Sequence, residues 1–120
     1  MINYEAEAQV HNAIILGLTI RTLERDKKHM DNLKADFAFK AWIEEELKNL
    51  FKDLRDVNRT LGMHGMKVME ETKDIDEYFV AYFVKTRGND KEKRYSKVAL
   101  RNKVNEEVKM RLGLKYDKER

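Results

Sequence analysis

The sequence predicts an α+β fold: a long N-terminal antiparallel helical hairpin, a three-stranded antiparallel meander and a C-terminal helix, in one domain over residues 1–120. Three observations carry this. Ile43, Leu47, Leu50, Leu54, Val57 and Leu61 alternate spacings of four and three, which lines one side of a helix. Residues 77–85 form the densest apolar run, mostly aromatic and β-branched side chains that suit a pleated surface. Gly88-Asn89-Asp90 then supplies a turn that brings the chain back through residues 91–95. A helical alternative stays open for 75–86, because Ile75, Tyr78, Phe79, Tyr82 and Phe83 also keep helical spacing. Asp74 would cap that helix and Gly88 would end it, giving an all-α fold.

The hairpin spans 3–61. Its first helix runs from 3 to about 31, with Asn3 as cap and Glu5 and Glu7 in the turns where the helix dipole favours negative charge. Ala13, Leu16, Ile20 and Leu23 form an apolar stripe that Ile14, Ile15 and Leu18 widen, so this helix is expected to be buried on more than one side. The chain turns polar after Leu23, and a break falls near Asp31-Asn32. The second helix covers 36–61, with Asp36 as cap and Gly62 as a left-handed stop. The connection is short, so the helices lie antiparallel. One hairpin cannot bury this much apolar surface alone. A homodimer is therefore expected, with Ile43, Leu47, Leu50, Leu54 and Val57 at its interface.

The meander spans 66–96. A short strand over 66–71 leads through turn residues 72–76 into the central strand. That strand puts Tyr78, Val80, Tyr82 and Val84 on one face and Phe79, Ala81 and Phe83 on the other, and both faces call for cover. The lysines of the third strand suit an exposed edge. Ser96 caps the last helix, 97–112, whose stripe is Leu100, Val104, Val108 and Leu112. Glu107 pairs with Arg111, Gly113 is the stop, and the tail 113–120 frays.

Composition narrows the chemistry. The chain is 42% hydrophobic and 39% charged, with no proline and no cysteine. Disulfides, thiolate metal sites and cysteine nucleophiles are excluded, and a reducing cytoplasm is the simplest location. No apolar run reaches membrane-spanning length, and no charged-then-apolar leader opens the chain, so no membrane role is expected. His11, His29 and His64 are far apart, and only Glu7 four residues before His11 has ligand spacing. No motif for nucleophile chemistry or a phosphate-cradling loop occurs, so neither enzyme activity, metal nor cofactor is expected. Glu44-Glu45-Glu46 and Glu70-Glu71 with Asp74 invite comparison with helical magnesium-dependent nucleotide hydrolases. Consecutive glutamates fan around a helix, however, and a solvated face is the better reading.

The functional lead is basic. Residues 85–103 hold eight lysines and arginines against Asp90 and Glu92, a charge of +6 in a chain whose total is +3. Lys85, Arg87, Lys93, Arg94, Lys97 and Arg101, with Tyr95 among them for stacking, are the candidate nucleic-acid contacts. The alternative is a protein-interaction module docking through the hairpin. Three strands followed by a helix whose start reads Ser96-Lys97, then Ala99 and Arg101, resembles the layout of double-stranded RNA-binding domains over 66–112. Val104 and Val108 stand where that family uses small residues, and the hairpin is foreign to it. The resemblance implies topology alone.

Overall fold

The hairpin consists of α1 (Tyr4–Lys27) and α2 (Asp36–Met63), joined through a short 3-10 turn at Met30–Asn32. It is followed by β1 (Lys67–Asp74), β2 (Phe79–Lys85), β3 (Lys91–Ser96) and α3 (Lys97–Arg111) in this computed structural model, which describes residues 4–114. The α+β architecture is the one the sequence predicts. The expected cap Asn3 and most of the expected fraying tail lie outside the described residues.

α1 is the centre of the molecule. Its late residues Leu16, Ile20 and Leu23 pack with Ile43 and Leu50 from the first part and middle of α2. Its earlier residues Val10, Ala13, Ile14 and Ile15 share a second cluster with Leu61 of α2, Tyr82 and Val84 of β2, and Leu100 of α3. Opposite ends of α1 and α2 thus meet, as an antiparallel pair requires. The wide apolar stripe is needed because α1 has neighbours on several sides. Thr19 is fully enclosed among these residues, and its hydroxyl donates to the Ile15 carbonyl at 2.7 Å. A buried hydroxyl satisfied within its own helix carries little penalty.

The α2 seam is consumed inside the chain. Ile43 and Leu50 have no exposed surface, and Leu47, Leu54 and Val57 pack against the same clusters. The expected dimer interface at Ile43, Leu47, Leu50, Leu54 and Val57 is corrected accordingly: α1 already occupies that surface.

Helix ends also differ from expectation. α1 stops at Lys27, inside the polar run that follows Leu23, rather than near Asp31. Ala35 takes the cap position and Asp36 the first turn of α2. α2 continues through Gly62 to Met63, and the left-handed residue is Gly65, at φ 71°. Gly65 also lies against Arg87, whose Nε would be 2.6 Å from an added Cβ. Gly65→Ala is therefore expected to cost about 1–2 kcal/mol, mostly through the left-handed backbone. Gly62→Ala, in open space within a helix, should gain up to ~1 kcal/mol. Urea unfolding of both variants checks the contrast, and equal effects would refute it.

The sheet order is β1-β2-β3, all antiparallel, so residues 75–86 are not helical. β1 extends to Asp74, and its ladder with β2 shifts between Val68 and Thr72, a bulge facing Phe83. The turn sits later than expected. Asp76 Oδ1 accepts from the backbone N–H groups of Tyr78 (2.7 Å) and Phe79 (2.8 Å), a local bond that lets aspartate initiate a tight turn. Ser96 caps α3 through Ala99 N–H at 3.2 Å, and Gly113 ends it at φ 79°.

Candidate nucleic-acid interface

Strand alternation and packing sort the basic residues. Lys91, Lys93 and Tyr95 of β3 pair with Val84, Tyr82 and Val80 of β2, and residues paired across a ladder share a face. This is the face the helices cover. Glu7 of α1 reaches both lysines: Lys93 Nζ bonds Glu7 Oε2, and Lys91 Nζ lies 3.7 Å from Oε1. Glu7 is thus a clamp between α1 and the edge strand as well as a residue favoured by the helix dipole.

Tyr95 faces inward. Its ring stacks on His11 at 6.0 Å and meets Tyr82 edge-on at 5.7 Å. Burial pushes the hydroxyls of both tyrosines above their ordinary range. Burial, with Lys103 adding to it, holds His11 below the ordinary imidazole range. The expected stacking role of Tyr95 is corrected, since its ring is part of the packing between sheet and α1. His11 and Glu7 are also engaged with different partners. Among the described residues no group of three or more His, Asp or Glu converges as metal ligands.

Lys97 is a staple. Its Nζ lies 2.7 Å from Asp74 Oδ1 and donates to the Asp76 carbonyl at 2.7 Å, while its backbone N–H donates to the Tyr78 carbonyl at 2.8 Å. It ties the start of α3 to the β1–β2 turn. Lys103 sits 3.4 Å from Glu106. Lys85, Arg87 and Arg101 are exposed and have no acidic partner among the described residues. Arg94 is exposed too, with its Nε donating to Glu92 Oε2 at 3.1 Å along the same strand.

The acidic groups are likewise distributed. Glu44 binds Lys27 at 2.8 Å, and Glu46 binds Arg111 at 3.2 Å, on different sides of α2. Glu71 and Asp74 both fall on β1, so the helical spacing that suggested a magnesium site does not arise.

Sequence reasoning did not identify the outer sheet face. Phe79, Ala81 and Phe83 alternate away from the helices, and they are not covered on both sides as expected. Phe79 is 44% exposed and Phe83 half-buried. The rung between them reads Lys73–Ala81–Arg94, and Lys85 ends the same side of β2 beside its ladder partner Lys67. The alternation was visible in the sequence. The side left open was not.

No curated relative and no solved structure matches the chain. The family model described as YhjD protein matches residues 1–116, which takes in every helix and strand above, and the chain belongs to that family.

Proposed function

We propose that the chain is a small non-enzymatic nucleic-acid-binding or regulatory module that acts in the cytoplasm without a cofactor. The observation that carries this reading is the +6 charge concentrated in 85–103. With Lys91, Lys93 and Lys97 paired to carboxylates of α1 and β1, phosphate contacts fall to Lys85, Arg87, Arg94 and Arg101. Four such contacts give a salt slope of about −3 to −4 on a logarithmic plot. Binding should accordingly be weak at physiological salt and tighten steeply as salt is lowered.

Reversing Lys85, Arg87 and Arg101 to glutamate should abolish binding without lowering the melting temperature, because all three are exposed and have no acidic partner among the described residues. Lys97 is left intact, since removing it would loosen the β1–β2 turn. Arg25, Lys28 and Lys34, reversed together, are the matched control on the other end of the hairpin. The measurement is fluorescence anisotropy against labelled oligonucleotides at several salt concentrations. No binding by the parent at low salt, or equal loss in both triple variants, overturns the proposal.

A second reading, a protein-interaction module or homodimer, is favoured by exposed aromatics on α2. Phe37 is 86% and Phe51 50% exposed, two heptads apart and so on one side of the helix. Self-association would use this side rather than the buried seam. Light scattering at micromolar concentration separates the cases: twice 14.3 kDa, lost in Phe37→Ser/Phe51→Ser, supports it, and 14.3 kDa refutes it.

A further inference from the structure

The outer face of the sheet is an aromatic surface set among cations. Phe79 and Phe83 stand four residues apart on the central strand, about 13 Å along it. Ala81 lies between them with no exposed surface, though the helices pack on the other side. By strand alternation it is the residue between the two rings on this side of the sheet, the floor of the face. Lys73 and Arg94 border that floor left and right as ladder partners of Ala81. Lys85 extends the line of charge beyond Phe83. Glu92, opposite Phe83, is already bonded to Arg94, and the acidic bulge residues Glu70 and Glu71 sit at the β1 edge.

We propose that this face is a stacking platform for single-stranded nucleic acid, with Phe79 and Phe83 under two bases and Lys73, Lys85 and Arg94 on the phosphates. The inference rests on the nucleic-acid reading above and names its substrate class. Aromatic rings on an open sheet stack unpaired bases, and cations beside them follow the backbone. A duplex keeps its base faces stacked inside and offers this surface only phosphate. A second copy docked face to face would bring like-charged Lys73, Lys85 and Arg94 rows together, which is unfavourable. An anionic, planar ligand meets both features at once. The inward position of Tyr95 leaves the sheet's stacking function to the phenylalanines.

The test compares the full chain with Phe79→Leu/Phe83→Leu and with Lys73→Glu/Lys85→Glu. Leucine keeps apolar volume and removes the π face, so folding should persist, as a melting curve verifies. Anisotropy is read with a labelled oligothymidine of ~12 nucleotides, a duplex of the same length, and polyglutamate as a competing anion, at about 50 mM salt. The parent should bind the single strand at least ~10-fold tighter than the duplex. The leucine pair should weaken single-strand binding by ~25-fold or more, since each ring contributes about fivefold or more, and leave duplex binding unchanged. The glutamate pair should weaken both and flatten the salt dependence. Unchanged single-strand affinity in the leucine pair, with loss in the glutamate pair, overturns the platform and leaves the nucleic-acid module standing. Failure of the parent to bind either oligonucleotide overturns the module itself. Equal displacement by polyglutamate at matched charge would overturn the platform in favour of an acidic protein ligand.

Discussion

Leu50→Asp is expected to unfold the chain at room temperature. Leu50 has no exposed surface and packs with Leu16, Ile20, Leu23 and Ile43 where α1 crosses α2. Trimming such a residue to alanine costs about 2–5 kcal/mol through lost burial and the cavity left behind. Aspartate adds a carboxylate to an apolar cluster, where it must be buried charged, buried protonated or exposed by opening the hairpin. The sum approaches the whole stability of a domain this size, about 5–15 kcal/mol. Far-UV circular dichroism should show loss of cooperative unfolding. Phe51→Asp, one residue on and 50% exposed, should change stability by no more than about 1 kcal/mol. A Leu50→Asp protein that melts like the parent would mean that α2 does not turn this side to α1.

Arg111→Met should be the most damaging change to a charged residue, at about 2–4 kcal/mol. Arg111 is largely buried at the end of α3. Its guanidinium donates to Glu107 at 2.8 Å, to Glu46 at 3.2 Å and to Asp53 at 2.7 Å, so it joins α3 to α2. Burial alone would lower its proton affinity, but bonds to Asp53 and Glu46 and the charge of Glu107 outweigh that and raise it. A raised folded-state value for a base means its stabilising effect is fully present below the ordinary arginine range, hence at every ordinary pH. Methionine keeps the stem's packing and leaves three carboxylates facing one another. The cost stays below that of a fully buried ion pair because Asp53 is about half open to solvent. Urea midpoints of parent and variant at neutral pH measure the cost, and a loss below about 1 kcal/mol would refute it.

Periodicity and composition together placed the three helices and three strands in order, although for 75–86 the spacing alone also allowed a helix. Spacings of three and four placed α2, the wide stripe on α1 foretold neighbours on several sides, and Gly88-Asn89 marked the β2–β3 turn. These are local patterns, and local sterics and side-chain alternation enforce them wherever the element ends up. Helix ends and turns were less well placed, because Gly62 can continue a helix as readily as end one, and Asp76 competes with Asp74 as the turn former.

Which surfaces stay open was decided only by the tertiary arrangement. The seam Ile43 to Val57 has the same spacing whether its partner is α1 or a second chain, and α1 turned out to take it. The basic run 85–103 is continuous in sequence, yet strand alternation sends Lys93 and Tyr95 inward to Glu7 and His11 and leaves Arg94 outward. Lys73 joins the candidate site from another strand across the Ala81 rung, a proximity that ladder register creates. Phe79 and Phe83 read as core residues by hydrophobicity. They became surface because three helices suffice to cover only one side of a three-stranded sheet, and the side carrying Val80, Tyr82 and Val84 received them.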